Sequence, residues 1–285
     1  MEIGINLFSV NEALNEDYLK TLERVAACGY RNVELIATNK YGDRFSDSIP
    51  LPVLKKKLAE LGLNPIAAHE GIRPGVKLNE MDWDYIINYN IELGINRIVM
   101  PILRIDTIQD TLATAEQLNK LGSKCRKKGI QLYIHNHALE FKKVNDTTLF
   151  HLLVENTEPS NLKVELDLAW VIRGGSDPVA VLKWLGERCD LIHQRDLKKH
   201  INHPLHIFDE LTEADKELTY QDVHMKYRRP ELFVDLGTGS FDFEDVYTTI
   251  KQLGYVKYAI VESDGEREDK FGSIANDLNY LKRYI

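Results

Sequence analysis

Short apolar runs alternate along the whole chain with longer segments in which apolar residues return every third or fourth position. The short runs are bounded by glycine and polar turn residues and predict strands over 3–8, 31–36, 63–69, 96–101, 130–137, 162–167, 190–195 and 257–262. The segments of helical period lie near 15–28, 51–61, 81–93, 107–128, 147–156, 177–187, 242–253 and 268–283. Punctuation agrees with both sets. Gly29, Gly62, Gly94, Gly129 and Gly254 each follow a helical run, where a residue without Cβ can close the last turn. Asp177-Pro178 pairs an N-capping carboxylate with a proline in the first helical turn.

Eight strand-helix units in 285 residues give about 36 residues per unit, the size expected of a (β/α)8 barrel. Strict alternation also implies a parallel sheet. A doubly wound sheet that binds a dinucleotide would need a glycine-rich first turn. Here that turn is Ser9-Val10-Asn11, and Gly237-Thr238-Gly239 does not open a first βαβ unit. The expectation is therefore one α/β domain over 1–285, a (β/α)8 TIM barrel. One connection is abnormal. The insert over 197–232 carries His200, His203 and His206, a short acidic helical patch and Tyr227-Arg228-Arg229-Pro230. A loop of that length is expected to be a lid, a binding loop or an oligomer contact.

Charge narrows the partners. The chain has 44 Asp and Glu against 36 Lys and Arg, a net charge of −8. Nucleic acid and anionic membranes would repel it at long range, so neither is expected as a partner. Met1-Glu2-Ile3-Gly4-Ile5-Asn6 has neither the basic nor the apolar region of a signal peptide, and no apolar run is long enough to span a bilayer. A cytoplasmic location is the expectation. Cys28, Cys125 and Cys189 form no Cys-x-x-Cys pair and are read as small buried hydrophobes.

In a (β/α)8 barrel, chemistry sits at the C-terminal ends of the strands. Six of the eight predicted strands end in ionisable side chains: Glu34, His69-Glu70, His135-Asn136-His137 with Glu140 beyond it, Glu165-Leu166-Asp167, His193-Gln194-Arg195-Asp196, and Glu262-Ser263-Asp264. Side chains alternate along a strand. With Leu162, Val164 and Leu166 facing the helices, Glu165 and Asp167 enter the barrel. The same argument turns Glu34, Ile260 and Glu262 inward and places His193 with Arg195, and His135 with His137, on common faces. Buried carboxylates and imidazoles need partners or a cation, and a mixed oxygen and nitrogen set suits one Mn²⁺, Mg²⁺, Co²⁺ or Zn²⁺.

Tyr133-Ile134-His135-Asn136-His137-Ala138-Leu139-Glu140-Phe141 resembles the His-Asn-His-x-x-Glu-Phe segment of the xylose-isomerase-like TIM-barrel superfamily, the sugar phosphate isomerase/epimerase family. Leu166-Asp167-Leu168-Ala169-Trp170 with Gly174-Gly175-Ser176-Asp177-Pro178, the strand Leu191 to Asp196, the Leu236 to Phe243 block and Val261-Glu262-Ser263-Asp264 are similar to further blocks of that family, in the same order. Gly29 to Leu35 and His69 fit its N-terminal half more loosely. The resemblance implies that Glu140, Asp167, His193 and Glu262 bind one divalent metal, with Glu140 and Glu262 also serving as the catalytic acid/base pair. It implies that His69, His137 and Arg195 meet substrate oxygens and that Trp170 stacks on a sugar. Arg195 departs from the lysine often found at its position and favours a planar contact with two oxygens. The implied activity is isomerisation or epimerisation of a sugar, sugar phosphate or related keto-polyol. A dehydratase of a cyclic hydroxy-ketone of the inosose type would use the same site. An endonuclease IV-like nuclease would need more histidines and a basic face, and a non-catalytic carbohydrate-binding barrel would be favoured if one of Glu140, Asp167, His193 or Glu262 did not point inward. A homo-oligomer is compatible with the fold.

Other readings are structural. Glu34 is read as a partner of an arginine or of substrate. Glu165 is expected to pair with Lys163 or a neighbouring strand. His135 is expected to pack or to support the ligands from behind, the three insert histidines to be solvated, Tyr227-Arg228-Arg229 either to capture a phosphate or carboxylate or to lie at the surface, and Trp83 and Trp184 to lie in the core.

Overall fold

The computed structural model describes residues 1–38, 43–72, 76–263 and 265–285; Asp264, the last residue of the final strand motif, lies outside them. Eight parallel strands close into a barrel in sequence order: β1 (Glu2–Asn6), β2 (Asn32–Ile36), β3 (Asn64–His69), β4 (Arg97–Met100), β5 (Gln131–His135), β6 (Leu162–Asp167), β7 (Leu191–Gln194) and β8 (Tyr258–Val261). Pairing of Ile5 with Val261 completes the closure of β8 onto β1. Each predicted strand is present. Two stop two residues short of their expected C-terminal ends, β1 at Asn6 and β5 at His135, and β4, β7 and β8 stop one residue short.

Local chemistry sets the helix boundaries. Gly29, Gly62, Gly94, Gly129 and Gly254 all have positive φ, the conformation a Cβ disfavours. Asp177 caps the helix Pro178–Leu185 by accepting from the Val179 amide. The helix expected over 15–28 is divided at Asp17, whose extended backbone ends one helix, Asn11–Glu16, and whose carboxylate caps the next, Tyr18–Ala27.

Burial falls into three groups. Val33, Leu35, Val164, Leu166, Ala259 and Val261 face outward and join the helices in the main core. Ile66, Ala67, Val99, Tyr133, Leu191 and Ile260 fill the barrel floor. Gly4 leaves room there, since a Cβ on it would lie 3.2 Å from Ile66 Cδ1. The third group belongs to the insert. Residues Asp196–Leu197 pair antiparallel with Phe233–Val234, and Tyr220, Val223, Tyr227 and Phe233 pack over Leu139 and Trp170. Buried Arg173 anchors this cover, donating to the Leu205 carbonyl at 2.7 Å, the Tyr227 carbonyl at 2.7 Å and Glu210 at 2.9 Å. The insert is thus a docked cap with its own small core.

Trp83 is buried and donates to the Leu78 carbonyl. Trp184 departs from expectation: it is 38% exposed and lies against His151, because it projects from the outer side of its helix. Cys125 and Cys189 are buried thiols and Cys28 is half-buried. Among the described residues no helix is long and apolar enough to cross a membrane.

Candidate active site

Alternation along the strands lifts a polar ring out of the apolar floor. Leu191, Ile260, Tyr133 and Ala67 lie in the floor. Two residues further along the same strands or just past their ends stand His193, Glu262, His135 and His69, all buried.

The deeper part of the ring is centred on Glu165. Its Oε2 lies 2.8 Å from His69 Nε2, 3.1 Å from His193 Nε2 and 3.4 Å from His135 Nδ1. Glu34 Oε2 lies 2.7 Å from His193 Nε2 and 3.2 Å from His69 Nε2, and accepts from Asn6 Nδ2 at 2.7 Å. Glu165 therefore pairs with its neighbouring strands, through His135 and His193, and not with Lys163. That lysine sits one layer lower and donates to Asp190 at 2.8 Å. Nor does Glu34 pair with an arginine; its partners are the two imidazoles and Asn6. Burial alone would discharge these groups, but Glu34 and Glu165 raise His69 to about 10 and hold His193 well above the ordinary imidazole range. The same two imidazoles hold Glu34 well below the carboxylate range against its burial. Glu165, pressed by burial and by Glu34, is raised. His135 is lowered, by burial first and then by its cationic neighbours.

The upper part of the ring is organised by Arg195. Its Nε donates to Asp167 Oδ2 at 2.6 Å and its Nη2 to Glu262 Oε2 at 2.7 Å. His193 Nδ1 lies 2.6 Å from the same Glu262 oxygen. Burial works to raise Glu262, yet Arg195 and His193 hold it far below the carboxylate range. Asp167 is raised to about 6 by burial, against the pull of Arg195. Asp167 also caps the short helix after β6 by accepting from the Trp170 amide at 2.8 Å, while Asn136 bonds its backbone on both sides.

Glu140 stands apart. Its Oε2 accepts from the His137 amide at 3.0 Å and its Oε1 from the Tyr220 hydroxyl at 2.7 Å. Burial raises it to about 7, moderated by those bonds. Tyr220 belongs to the insert, as does His224, whose ring meets that of His137 edge-on at 4.6 Å. Trp170 packs among His137, Phe233 and Arg195. Among the described residues, Trp170 Nε1 and His137 Nδ1 are buried without a hydrogen-bond partner.

Two strand-end carboxylates have structural roles. Glu70 is held by Arg44 and by Asn90 at 2.7 Å. Asp196 accepts from the amides of Leu197, Gly237, Gly239 and Phe241 and so shapes the glycine loop. A Cβ on Gly239 would lie 2.2 Å from Asp196 Oδ1, which explains Gly-Thr-Gly without any nucleotide. Of the insert histidines, His200 and His206 are exposed and His203 contacts Glu210. Arg229 captures a carboxylate of the protein itself, that of Glu210.

Two overlapping sets of donor atoms are close enough to hold a cation: His135, Asp167, His193 and Glu262, and below it His69, His135, Glu165 and His193. Within each set all the donor atoms lie within 4.8 Å of one another. Three of the four residues expected as ligands thus come together. Glu140 is in neither set. His135, expected to pack or to support the ligands from behind, is in both, and its Nδ1 has no hydrogen-bond partner. Residues that sequence reasoning missed are Asn6, whose polar side chain ends β1, and Tyr220 and His224, for which the chain offers no local signal.

A family model of the xylose isomerase-like TIM barrel matches residues 22–284. An inosose dehydratase of Clostridium perfringens is 28% identical over 174 residues, covering 60% of this chain and 52% of that one. The match therefore spans about half the length of that relative. Among solved structures, a sugar phosphate isomerase/epimerase from Parabacteroides distasonis superimposes with a TM-score of 0.74 at 23% identity, over 99% of this chain and 93% of that one. An IolI protein with a bound zinc atom superimposes with a TM-score of 0.72 at 15% identity, over 100% of this chain and 99% of the other. At these identities the two structures show a shared fold.

Proposed function

Because the chain belongs to the xylose isomerase-like TIM-barrel family, we propose that it is a divalent-metal-dependent enzyme that moves a proton at the carbon beside the carbonyl of a sugar, sugar phosphate or keto-polyol. The observation that carries this reading is the meeting of Asp167, His193 and Glu262, with His135, at the C-terminal mouth of the barrel. Two carboxylates and two imidazoles suit a single divalent ion, and the unpartnered His135 Nδ1 fits one. Asp167, His193 and Glu262 would hold it. Glu140 as a fourth ligand would have to give up the Tyr220 hydroxyl or the His137 amide. When bound, such an ion supplies Lewis acidity to a carbonyl and its neighbouring hydroxyl.

The protein's own groups divide the proton work. Glu262, kept ionised beside Arg195, is the base that removes the proton from carbon. Glu140, raised to about 7, is the acid that returns one. Delivered to the neighbouring carbon or to the opposite face, that proton completes an isomerisation or epimerisation. Delivered to a hydroxyl one carbon further on, it completes a dehydration. Arg195 is proposed to turn from the carboxylates to substrate oxygens. His137 Nδ1 and Trp170 Nε1, both without partners, offer further contacts, with the indole also available for stacking. His69 lines a cavity of about 180 Å³ with Phe8, Asn11 and Pro101 and would be the substrate's contact to Glu34. The inosose dehydratases among the relatives favour dehydration as strongly as the fold's isomerase and epimerase neighbours favour the other outcome.

The test follows the shared step. Keto-sugars, their phosphates and inososes are incubated with the protein and Mn²⁺ in D2O and read by NMR, with ultraviolet absorbance reporting a conjugated product. Deuterium beside the carbonyl is expected for at least one substrate, and absorbance separates dehydration from isomerisation. No exchange with any of them, in Mn²⁺, Co²⁺, Mg²⁺ or Zn²⁺, would overturn the reading.

A further inference from the structure

We propose that the floor of the polar ring is a second, nitrogen-rich cation site, formed by His69, His135, Glu165 and His193 and suited to a zinc-like ion. It lies beneath the carboxylate-rich set used above and stands independently of the reaction.

Geometry is the first support. Three imidazole nitrogens converge on one carboxylate oxygen, at 2.8, 3.1 and 3.4 Å from Glu165 Oε2. Donors placed tetrahedrally about a zinc ion at ordinary bond lengths are about 3.3 Å apart. These four side chains come from β3, β5, β6 and β7, so strands rather than loops hold them. The residue types agree: three neutral-capable imidazoles and one carboxylate suit Zn²⁺ or Co²⁺ better than Mg²⁺.

Unsatisfied atoms are the second support. Among the described residues, His135 Nδ1, Glu165 Oε1 and Glu34 Oε1 are fully buried and have no hydrogen-bond partner. Buried polar groups in such a state call for an ion or an ordered water. The upper set shares His135, but its two carboxylates already bond Arg195, whereas Glu165 Oε1 and Glu34 Oε1 belong to the deep position alone. Glu34 faces the same Nε2 atoms of His69 and His193 that face Glu165, so it adds a second carboxylate at the site itself and balances the charge of an ion there. The cavity bounded by His69 gives an ion a way in.

His193 links the two positions. It faces Glu262 with Nδ1 and Glu34 and Glu165 with Nε2. The upper ion would use the first nitrogen and the deeper ion the second. Unless His193 bridges them as an imidazolate, one ion excludes the other. A deep ion leaves Arg195 on its two carboxylates, whereas an upper ion displaces it.

The experiment uses the full-length protein, stripped with chelator and reloaded with Zn²⁺ or Co²⁺ alone. Zinc affinity is read by competition with a chromophoric chelator, and cobalt geometry by visible absorption. Wild type should bind zinc and give the strong visible band of four-coordinate cobalt. Glu165→Gln and His69→Gln should each weaken zinc binding at least about tenfold. Asp167→Asn should bind zinc and give the cobalt band as wild type does. Melting curves establish which variants fold. Should both deep variants unfold, the cobalt band and its survival in Asp167→Asn decide. A wild type that takes up no zinc, a folded deep variant that binds it unchanged, or loss of binding in Asp167→Asn would overturn the proposal, and ordered water would then account for the unsatisfied atoms.

Discussion

The two halves of the barrel interior are built from the same strands and differ by two residues of chain. Below, Tyr133, Leu191 and Ile260 make a dry apolar floor. Just above, His135, His193 and Glu262 belong to a buried ring of ionisable side chains, in which His193 and Glu262 are held charged and His135 is held neutral. The floor contributes stability through burial and close packing. The ring works against it, because ionised groups are withdrawn from water and some of their atoms remain unpaired. Position along one face of a strand therefore separates residues that hold the fold from residues that hold the chemistry.

The contrast can be broken from either side. The largest effect is expected at the ring: Glu262→Gln should lower turnover about 10³-fold, and should also lower the melting temperature of the folded protein, because buried Arg195 and His193 each lose a carboxylate partner. Wild-type turnover in that variant would remove the proposed base. At the floor, Ile260→Ala should cost about 3 kcal/mol of unfolding free energy in a denaturant titration and leave turnover at matched temperature largely intact. A smaller effect is expected at the cap. Tyr220→Phe removes one hydrogen bond to Glu140 and should reduce turnover roughly fivefold to tenfold with little change in melting. An unchanged rate would mean that the cap does not position Glu140.

The smallest effect concerns a buried carboxylate outside the ring. Asp277 accepts from the Leu236 amide at 2.7 Å. Burial is the main cause that raises it, from an ordinary 3.8 to about 7. Between those values the folded chain keeps a proton that the unfolded chain has lost. Stability from this group is therefore full at the acid end and falls as pH rises toward 7. Asp277→Asn should flatten the fall, a change of roughly 1–2 kcal/mol across the window, read from denaturant midpoints at several pH values. An equal slope in both proteins would contradict it.

Much of this was legible before any coordinates because strands have a short period. Alternation alone places Glu34, Glu165, Asp167 and Glu262 inside the barrel and His193 on one face with Arg195, and glycines and caps set most helix ends. What stayed hidden depended on contacts between distant segments. Glu165 and Lys163 share a strand face, so their pairing was a fair expectation, but the lysine belongs one layer lower, with Asp190. Trp184 is apolar enough for a core and still projects outward. The length of the insert marks it as a lid, a binding loop or an oligomer contact but does not say where it docks. Its order comes from Arg173 and from packing on Trp170, neither of which leaves a periodic trace. Tyr220 therefore reaches Glu140 unannounced by local sequence.

The central claim, that the upper ring holds one divalent ion, is tested most directly by equilibrium dialysis against Mn²⁺, comparing wild type with the Asp167→Ala/Glu262→Ala double variant. About one Mn²⁺ per wild-type chain, and none above background in a folded double variant, is the predicted result. A wild type that binds none, or a double variant that binds as well as wild type, would contradict the account.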